Sequence, residues 1–241
     1  VDKPIYFMGI KLAVILGSGI GIDRERVTGI NILQENHSGI HNKIIYSCDF
    51  EGIKILILQG RKHFYEGYEY SHLAENIKYI SGLGVERLII TNAAGGVNDN
   101  FAAADLMLIR SHINLNNMLI FRKKPFPYDT EFSELFSSSC SEAKVKLHEG
   151  VYGYYQGPTY ETRAEIRFQK KFNIDAAGMS TVPEVNEAHL NGIKVIGVSV
   201  ITNLLKENLT EPASHDSVLA TAKKASLSLN KAISALIPQL N

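Results

Sequence analysis

The chain has 241 residues, and its 25 Lys and Arg residues balance 25 Asp and Glu residues, so its formal net charge is zero. A neutral chain has no excess of cations to neutralise a phosphate backbone, which argues against nucleic acid as a partner. No apolar run approaches the roughly 20 residues that span a bilayer, so we expect a cytoplasmic protein with no membrane partner. Cys48 and Cys140 lack zinc-site spacing, and either free thiols or one disulfide fits them.

The predicted elements alternate between strands and helices along the chain. Short runs rich in branched apolar residues predict buried strands over residues 11–16, 53–59, 87–91, 105–109 and 194–202. Apolar residues at helical spacing predict helices over 71–83, 162–172 and 217–237. Because the strands are apolar on both faces, we expect an α/β fold in which helices cover both sides of a sheet. No repeat or linker divides the chain, which predicts a single domain over 1–241.

Residues 114–149 carry the weakest pattern in the chain. A basic stretch with two prolines over 122–127 is followed by a serine-rich stretch over 137–141. We predict a solvated loop and a short helix in this region. The functional alternative is a flap or a contact between subunits.

Glycines and cations follow the first two predicted strands. Glycines at 17, 19 and 21 let backbone N–H groups approach an anion, and Ser18 adds a hydroxyl donor. The spacing is neither that of a dinucleotide fingerprint nor that of a P-loop, so a tight turn is the alternative. After the second strand, Arg61 and His63 provide donors suited to phosphate, against the alternatives of a surface ion pair and a structural histidine.

Small and aromatic residues mark a pocket for a flat ligand. Residues 91–96 end the third strand in small side chains, which permit close approach at the edge where open α/β sheets bind ligands. Tyr160 can stack on a heterocycle and Glu161 can accept from a ring N–H, although a glutamate at a helix start also suits the helix dipole. Residues 178–184 predict a strand, a cap at Ser180 or Thr181, and a helix whose N-terminus favours anions.

No motif for nucleophilic or metal catalysis accompanies these stretches. Residues 197–201 lack the closing glycine of a nucleophile elbow, and no HExxH or EF-hand pattern occurs. Neutral polar groups, glycines and a few cations suit the binding of phosphate and a neutral heterocycle.

Taken together and in order, these stretches resemble the trimeric purine nucleoside phosphorylases. The matching blocks are LGSGIG (16–21), QGRKHFYEGY (59–68), TNAAGGVN (91–98), LIRSHINL (108–115), GPTYETRAE (157–165), GMSTVPEV (178–185) and GVSVITN (197–203). The resemblance implies a three-layer αβα fold with a central mixed sheet. It implies reversible phosphorolysis of inosine, guanosine and their 2′-deoxy forms in purine salvage. It also implies a homotrimer that needs no cofactor, inorganic phosphate being a co-substrate.

The resemblance implies a role for each residue at a matching motif position. The expected phosphate contacts are Ser18, His41, Arg61, His63, Ala93 and Ser180. The expected ribose contacts are Tyr65, Met179 and His215. The expected base contacts are Ala94, Gly95, Tyr160, Glu161 and Asn203, with Phe121 reaching the neighbouring subunit's site. The expected catalytic residues are Asn203, Glu161 and His63; Asn203 can donate to purine N7 as negative charge develops on the leaving base.

The chain departs from the family pattern at a few positions. Leu204 and Tyr160 stand where mammalian relatives carry Lys and Phe, and residues 116–140 form a shorter segment than usual. Methylthioadenosine phosphorylase is the nearest alternative, but that branch usually has Asp at the position of Asn203. A non-catalytic nucleoside- or phosphate-binding module is the alternative from another class. The presence of Arg61, Glu161 and Asn203 disfavours it.

Overall fold

Nine strands and six helices make up the computed structural model, which describes residues 10–36, 43–116, 126–208 and 214–240. The strands are β1 (Leu12–Leu16), β2 (Val27–Asn36), β3 (Lys43–Phe50), β4 (Ile53–Gln59), β5 (Arg87–Gly96), β6 (Leu106–Asn114), β7 (Leu147–Tyr154), β8 (Ala176–Gly178) and β9 (Lys194–Leu204). The helices are α1 (Tyr70–Leu73), α2 (Glu75–Gly82), α3 (Thr130–Glu142), α4 (Arg163–Lys171), α5 (Val182–Leu190) and α6 (His215–Leu236).

The strands form one mixed sheet in the order β2-β3-β4-β1-β5-β8-β7-β6-β9. β1 is parallel to both of its neighbours, β4 and β5, whereas β2, β3 and β4 are joined by antiparallel pairings. β5 also pairs with β9 along its whole length, so the last five strands in this order close into a ring. The mixed sheet confirms the fold class expected from the resemblance.

Helices cover both faces of the sheet because the side chains of β1 alternate between two cores. Leu12, Val14 and Leu16 pack in a cluster with apolar residues of α3 and α6. Ala13 and Ile15 pack on the other face, in a cluster with residues of α2 and α5. The three layers therefore follow from a central strand that is apolar at every position.

One edge of β5 is interrupted where the two halves of the sheet meet. β1 pairs with this edge as far as Ile15 opposite Ile90, and β8 pairs with it from Ala177 opposite Gly95. Residues 91–94 have no strand partner on this edge among the described residues, while their other edge pairs with β9. The interruption exposes backbone groups at the carboxyl end of β1, the position where open α/β sheets bind ligands.

The prediction of a loop and short helix over 114–149 was wrong in its main feature, since α3 has 13 residues. The Asp129 carboxylate caps the helix by accepting from the Phe132 N–H at 2.7 Å. Phe132, Phe136 and Cys140 then bury one face at a spacing of four residues. The serines on this helix are tolerated because some of them, such as Ser139, return their hydroxyl to the carbonyl four residues earlier.

The predicted helix over 71–83 is two helices, and three strands were not predicted. The chain breaks between α1 and α2 at Ala74, which leaves helical geometry with φ −117° and ψ 16°. β2 is an edge strand with exposed side chains along most of its length, so it lacks the burial pattern that signals a strand. β3 and β7 were also missed, whereas the strand expected at the start of 178–184 is the three-residue β8, which ends at Gly178.

Both cysteines are free and buried, which resolves the choice left open by the sequence. Burial raises the pKa of the Cys48 thiol to about 11 and that of Cys140 to about 12. In the described part of the chain, no helix combines the length and apolar character required to cross a bilayer.

Candidate active site

A cavity of about 130 Å³ lies over the interrupted edge of β5. Every predicted site residue in the described part of the chain lines it: Ser18, Arg61, His63, Tyr65, Ala93, Ala94, Gly95, Tyr160, Glu161, Met179, Ser180, Asn203 and His215. Two predicted residues, His41 and Phe121, lie outside the described residues. The cavity continues past Ser18 and His63 into a cleft of about 750 Å³.

The loop after β1 fits its surroundings only because Gly17 and Gly19 have no side chains. A Cβ at Gly17 would lie 2.7 Å from the Asn92 Cα, and Gly19 has φ +73° with its Cβ position 3.0 Å from the Leu219 Cα of α6. The Gly17 N–H donates to the Thr91 hydroxyl at 3.0 Å, which fixes the loop across the interruption. Ser18 is thereby placed at the mouth of the cavity, as the sequence predicts.

Arg61 is buried beside the cavity, with only 6% of its surface exposed. Its Nη1 donates to Ser180 Oγ at 2.7 Å and Nη2 donates to the Thr91 carbonyl at 2.6 Å. Nη1 also lies 3.5 Å from a carboxylate oxygen of Glu184, which is equally buried. Arg61 is therefore not the surface ion pair that stood as the alternative, because its cation is enclosed among polar groups beside the cavity.

A strained turn places Ser180 and Thr181 against Arg61. Thr181 has φ +80° and ψ −51°, and the Val182 N–H donates to the Ser180 carbonyl at 3.0 Å, which together define a γ-turn. The prediction of a side-chain cap here was wrong, since Thr181 occupies the N-cap position of α5 without capping it. Its hydroxyl instead accepts from Asn92 Nδ2 at 2.9 Å and from Arg61 Nη1 at 3.3 Å.

His63 is held by the chain that follows it. Its backbone N–H and its Nδ1 contact the same Glu66 oxygen, at 2.9 and 3.0 Å. Its ring stacks on Tyr65 with centroids 4.8 Å apart, which brings the expected phosphate and ribose contacts together. Sequence reasoning did not select Glu66, although its spacing of three residues from His63 is that of a capping box.

At the other end of the cavity stand Tyr160 and Glu161, just before α4. Thr162 is the N-cap and forms a capping box with Glu165, so Glu161 lies outside the helix and is directed to the cavity. Burial raises the pKa of the Glu161 carboxyl above its usual 4.5, and the neighbouring Glu165 raises it further. The ionised carboxylate is therefore destabilised in this site unless a ligand donates a hydrogen bond to it.

A bulge in β9 turns Asn203 towards the cavity. The pairing with β5 shifts between Ala94, which faces Ile201, and Gly95, which faces Asn203, so that Thr202 is the extra residue. The Thr202 hydroxyl donates to Asn203 Oδ1 at 3.0 Å, an arrangement that leaves the Nδ2 end of the amide for a ligand acceptor. Thr202, Glu184 and Thr181 are contributors that sequence reasoning did not place in the site.

The assembled site separates two kinds of chemistry. One end offers hydroxyls, a cation and a histidine to an anion, whereas the other offers a carboxyl and an amide to a polar heterocycle. In the described ranges, no group of three or more His, Cys, Asp or Glu side chains is arranged to hold a metal ion.

Comparison with known proteins agrees with this geometry. The sequence profile of the phosphorylase superfamily matches residues 11–238. A Bacillus subtilis protein named purine nucleoside phosphorylase 1 is 37% identical over 253 residues, covering 95% of this chain and 92% of that protein. Solved structures of Schistosoma mansoni purine nucleoside phosphorylase with inosine and with adenosine give TM-scores of 0.86 and 0.87, at 28% and 30% identity. Each alignment covers 97% of this chain and 92% of the Schistosoma chain. The chain therefore belongs to the purine nucleoside phosphorylase family of the phosphorylase superfamily.

Proposed function

We propose that this protein catalyses the reversible phosphorolysis of 6-oxopurine nucleosides, releasing the free base and ribose or deoxyribose 1-phosphate. The observation that carries the proposal is the cavity over the interrupted edge of β5. Its lining combines groups suited to an anion with groups suited to a purine base, and on this proposal the pentose lies between them. The named relatives support the same activity.

Phosphate binds at the end formed by Ser18, Arg61, His63 and Ser180. The Ala93 backbone lies on the unpaired edge of β5, where a peptide N–H can face an anion without competition from a neighbouring strand. Phosphate held below the sugar stabilises the positive charge that develops as the C–N bond breaks. No protein nucleophile is then required.

The base end stabilises the leaving purine. Asn203 donates to N7 as negative charge accumulates on the base, and Thr202 holds the other end of the amide. Glu161 accepts from N1–H, a donor that inosine and guanosine possess. Removing one preorganised donor of this kind typically lowers the rate by about 10²–10³.

We further propose that the active form is a homotrimer in which Phe121 closes the neighbouring site. Beside the ribose contact Tyr65 lies a groove of about 1080 Å³, whose lining includes Tyr68, Tyr70, Pro158 and Pro183. An aromatic side chain from another subunit fits a groove with this lining. Sedimentation at assay concentration tests the assembly, and a fully active monomer would exclude it.

A spectrophotometric assay with inosine, with and without phosphate, tests the activity. We expect hypoxanthine release that depends on phosphate, and ribose 1-phosphate formed in equal amount. Release at the same rate without phosphate would instead indicate a hydrolase and contradict the proposal.

A further inference from the structure

Gln169 is a buried amide without a well-formed hydrogen bond, and it lies behind the base end of the cavity, close to Glu161. It belongs to the last turn of α4 and has no solvent exposure. Ile166 and Ile174, before and after it in the chain, are buried in an apolar cluster that also includes Leu205. Neither Nε2 nor Oε1 of Gln169 completes a hydrogen bond of good distance and angle with a described residue, although the amide lies close enough to Glu161 and Tyr155 to interact with both. Buried amides are normally satisfied, so this one calls for a physical explanation.

Two polar side chains face this amide. The Glu161 carboxyl, which lines the cavity, and the Tyr155 hydroxyl both interact with Gln169, and the amide opposes the rise in pKa that burial causes in each of them. The Tyr155 hydroxyl is buried and, like the Gln169 amide, completes no hydrogen bond of good distance and angle with a described residue. Burial raises the pKa of Tyr155 to about 12, so its proton is retained and available for donation.

We propose that Gln169 is a positioning residue that holds the Glu161 carboxylate for recognition of the purine N1–H. This inference rests on the proposed function. On binding of the base, N1–H donates to one oxygen of Glu161 and Gln169 Nε2–H donates to the other. Tyr155 O–H then donates to Gln169 Oε1, so that the base, the carboxylate, the amide and the phenol form one hydrogen-bond relay.

The arrangement selects against bases without an N1–H. With adenosine the relay lacks its first donor, so a fixed, ionised Glu161 meets a ring lone pair. An apolar side chain at position 169 would pack equally well among Ile166 and Ile174 but would leave the carboxylate unsupported. The amide therefore serves base selectivity at the expense of stability, a trade frequently seen at functional sites.

The test uses Gln169→Met, which keeps the length of the side chain and removes its polarity. We expect kcat/KM for inosine to fall about tenfold, the effect of losing one hydrogen bond to a charged group, and kcat/KM for adenosine to change less than about twofold. The acidic limb of the inosine pH profile should move to higher pH, because the carboxylate loses a donor. The melting temperature should stay equal or rise. Tyr155→Phe should reproduce the loss of selectivity in weaker form.

Controls separate positioning from packing. Ile166→Met alters the same buried face of α4 and should leave the ratio of inosine to adenosine unchanged. In a Glu161→Gln background, Gln169→Met should have almost no further effect on that ratio. Equal losses for both nucleosides with a lower melting temperature, unchanged kinetics, or a full tenfold effect in the Glu161→Gln background would each overturn the proposal.

Failure of the proposed function can be distinguished from failure of the Gln169 inference. If the wild-type protein does not cleave inosine in the presence of phosphate, calorimetric titration with hypoxanthine still tests the relay. Weaker hypoxanthine binding by Gln169→Met supports the assignment, whereas equal binding by the two proteins overturns it.

Discussion

Arg61 Nη1 donates to Ser180 Oγ at 2.7 Å, although the two residues are 119 positions apart in the chain. The same nitrogen lies 3.5 Å from the buried Glu184 carboxylate. Burial raises the pKa of Glu184 and the Arg61 cation opposes this effect, so each charge depends on the other. The cation that we propose for phosphate binding is thus also part of the folded core.

Arg61→Ala should raise the KM for phosphate far more than the KM for nucleoside, because only the anion loses its cation. It should also lower the free energy of unfolding by about 3–5 kcal/mol, since Glu184 is left as an unpaired buried charge. Arg61→Ala/Glu184→Gln should recover most of the stability and none of the phosphate affinity. Initial rates at varied phosphate, with denaturant unfolding of both variants, check this. A raised nucleoside KM at unchanged phosphate KM would contradict the assignment.

Inosine and guanosine should be cleaved at least about 10²-fold more efficiently than adenosine, because adenosine leaves the Glu161 carboxylate facing a lone pair. Asn203→Asp should move the ratio towards adenosine and lower inosine turnover, since a carboxylate accepts from a 6-amino group but cannot donate to N7. Values of kcat/KM for the three nucleosides at one pH measure the ratio. Equal values for adenosine and inosine in the wild-type protein would refute this account of the pocket.

The preference for inosine over adenosine should weaken as the pH falls. Because burial raises the pKa of Glu161, its neutral form becomes populated at a higher pH than for an exposed glutamate. The ionised form accepts from the N1–H of inosine, whereas the neutral form can donate to N1 of adenosine. Lowering the pH should therefore reduce kcat/KM for inosine and increase it for adenosine. Glu161→Gln, which does not titrate, should remove both trends. If kcat/KM changed with pH in the same direction for the two nucleosides, the predicted role of Glu161 would be contradicted.

Neither thiol should react while the protein is folded. Cys48 and Cys140 are fully buried, and with pKa values of about 11 and 12 they carry almost no thiolate near neutral pH. A colorimetric thiol reagent at pH 7.5 should detect no cysteine in the native protein and two after unfolding. Rapid modification of the native protein would be incompatible with this packing.

The elements predicted well from sequence are those whose pattern comes from burial. β1 and α6 carry apolar residues at the spacing of their own geometry, and both formed close to the predicted bounds. β2 was missed because an edge strand exposes its side chains. α3 was missed because it contains many serines, two of which lie among its five buried residues and weaken the apolar pattern. The formation of β2 and α3 depends on packing against elements that are distant in sequence, and the local residue pattern carries no information about that packing.

The site shows the same division. Arg61, Glu161 and Asn203 stand in distinctive motifs and could be selected from sequence. Thr181 and Gln169 could not, because their roles arise from a γ-turn and from a helix face packed behind the pocket. Long-range proximity of this kind leaves no signal in one sequence.

Because of the interrupted edge of β5, mutations should affect the two ends of the site to different extents. Its peptide groups can face an anion whatever side chains these positions carry, so sequence drift should leave the proposed backbone contribution to phosphate binding intact. The proposed choice of base depends instead on a few replaceable side chains, chiefly Glu161 and Asn203. In descendants of this chain, new substrates should therefore arise by change of the heterocycle, while phosphate is retained as the attacking group.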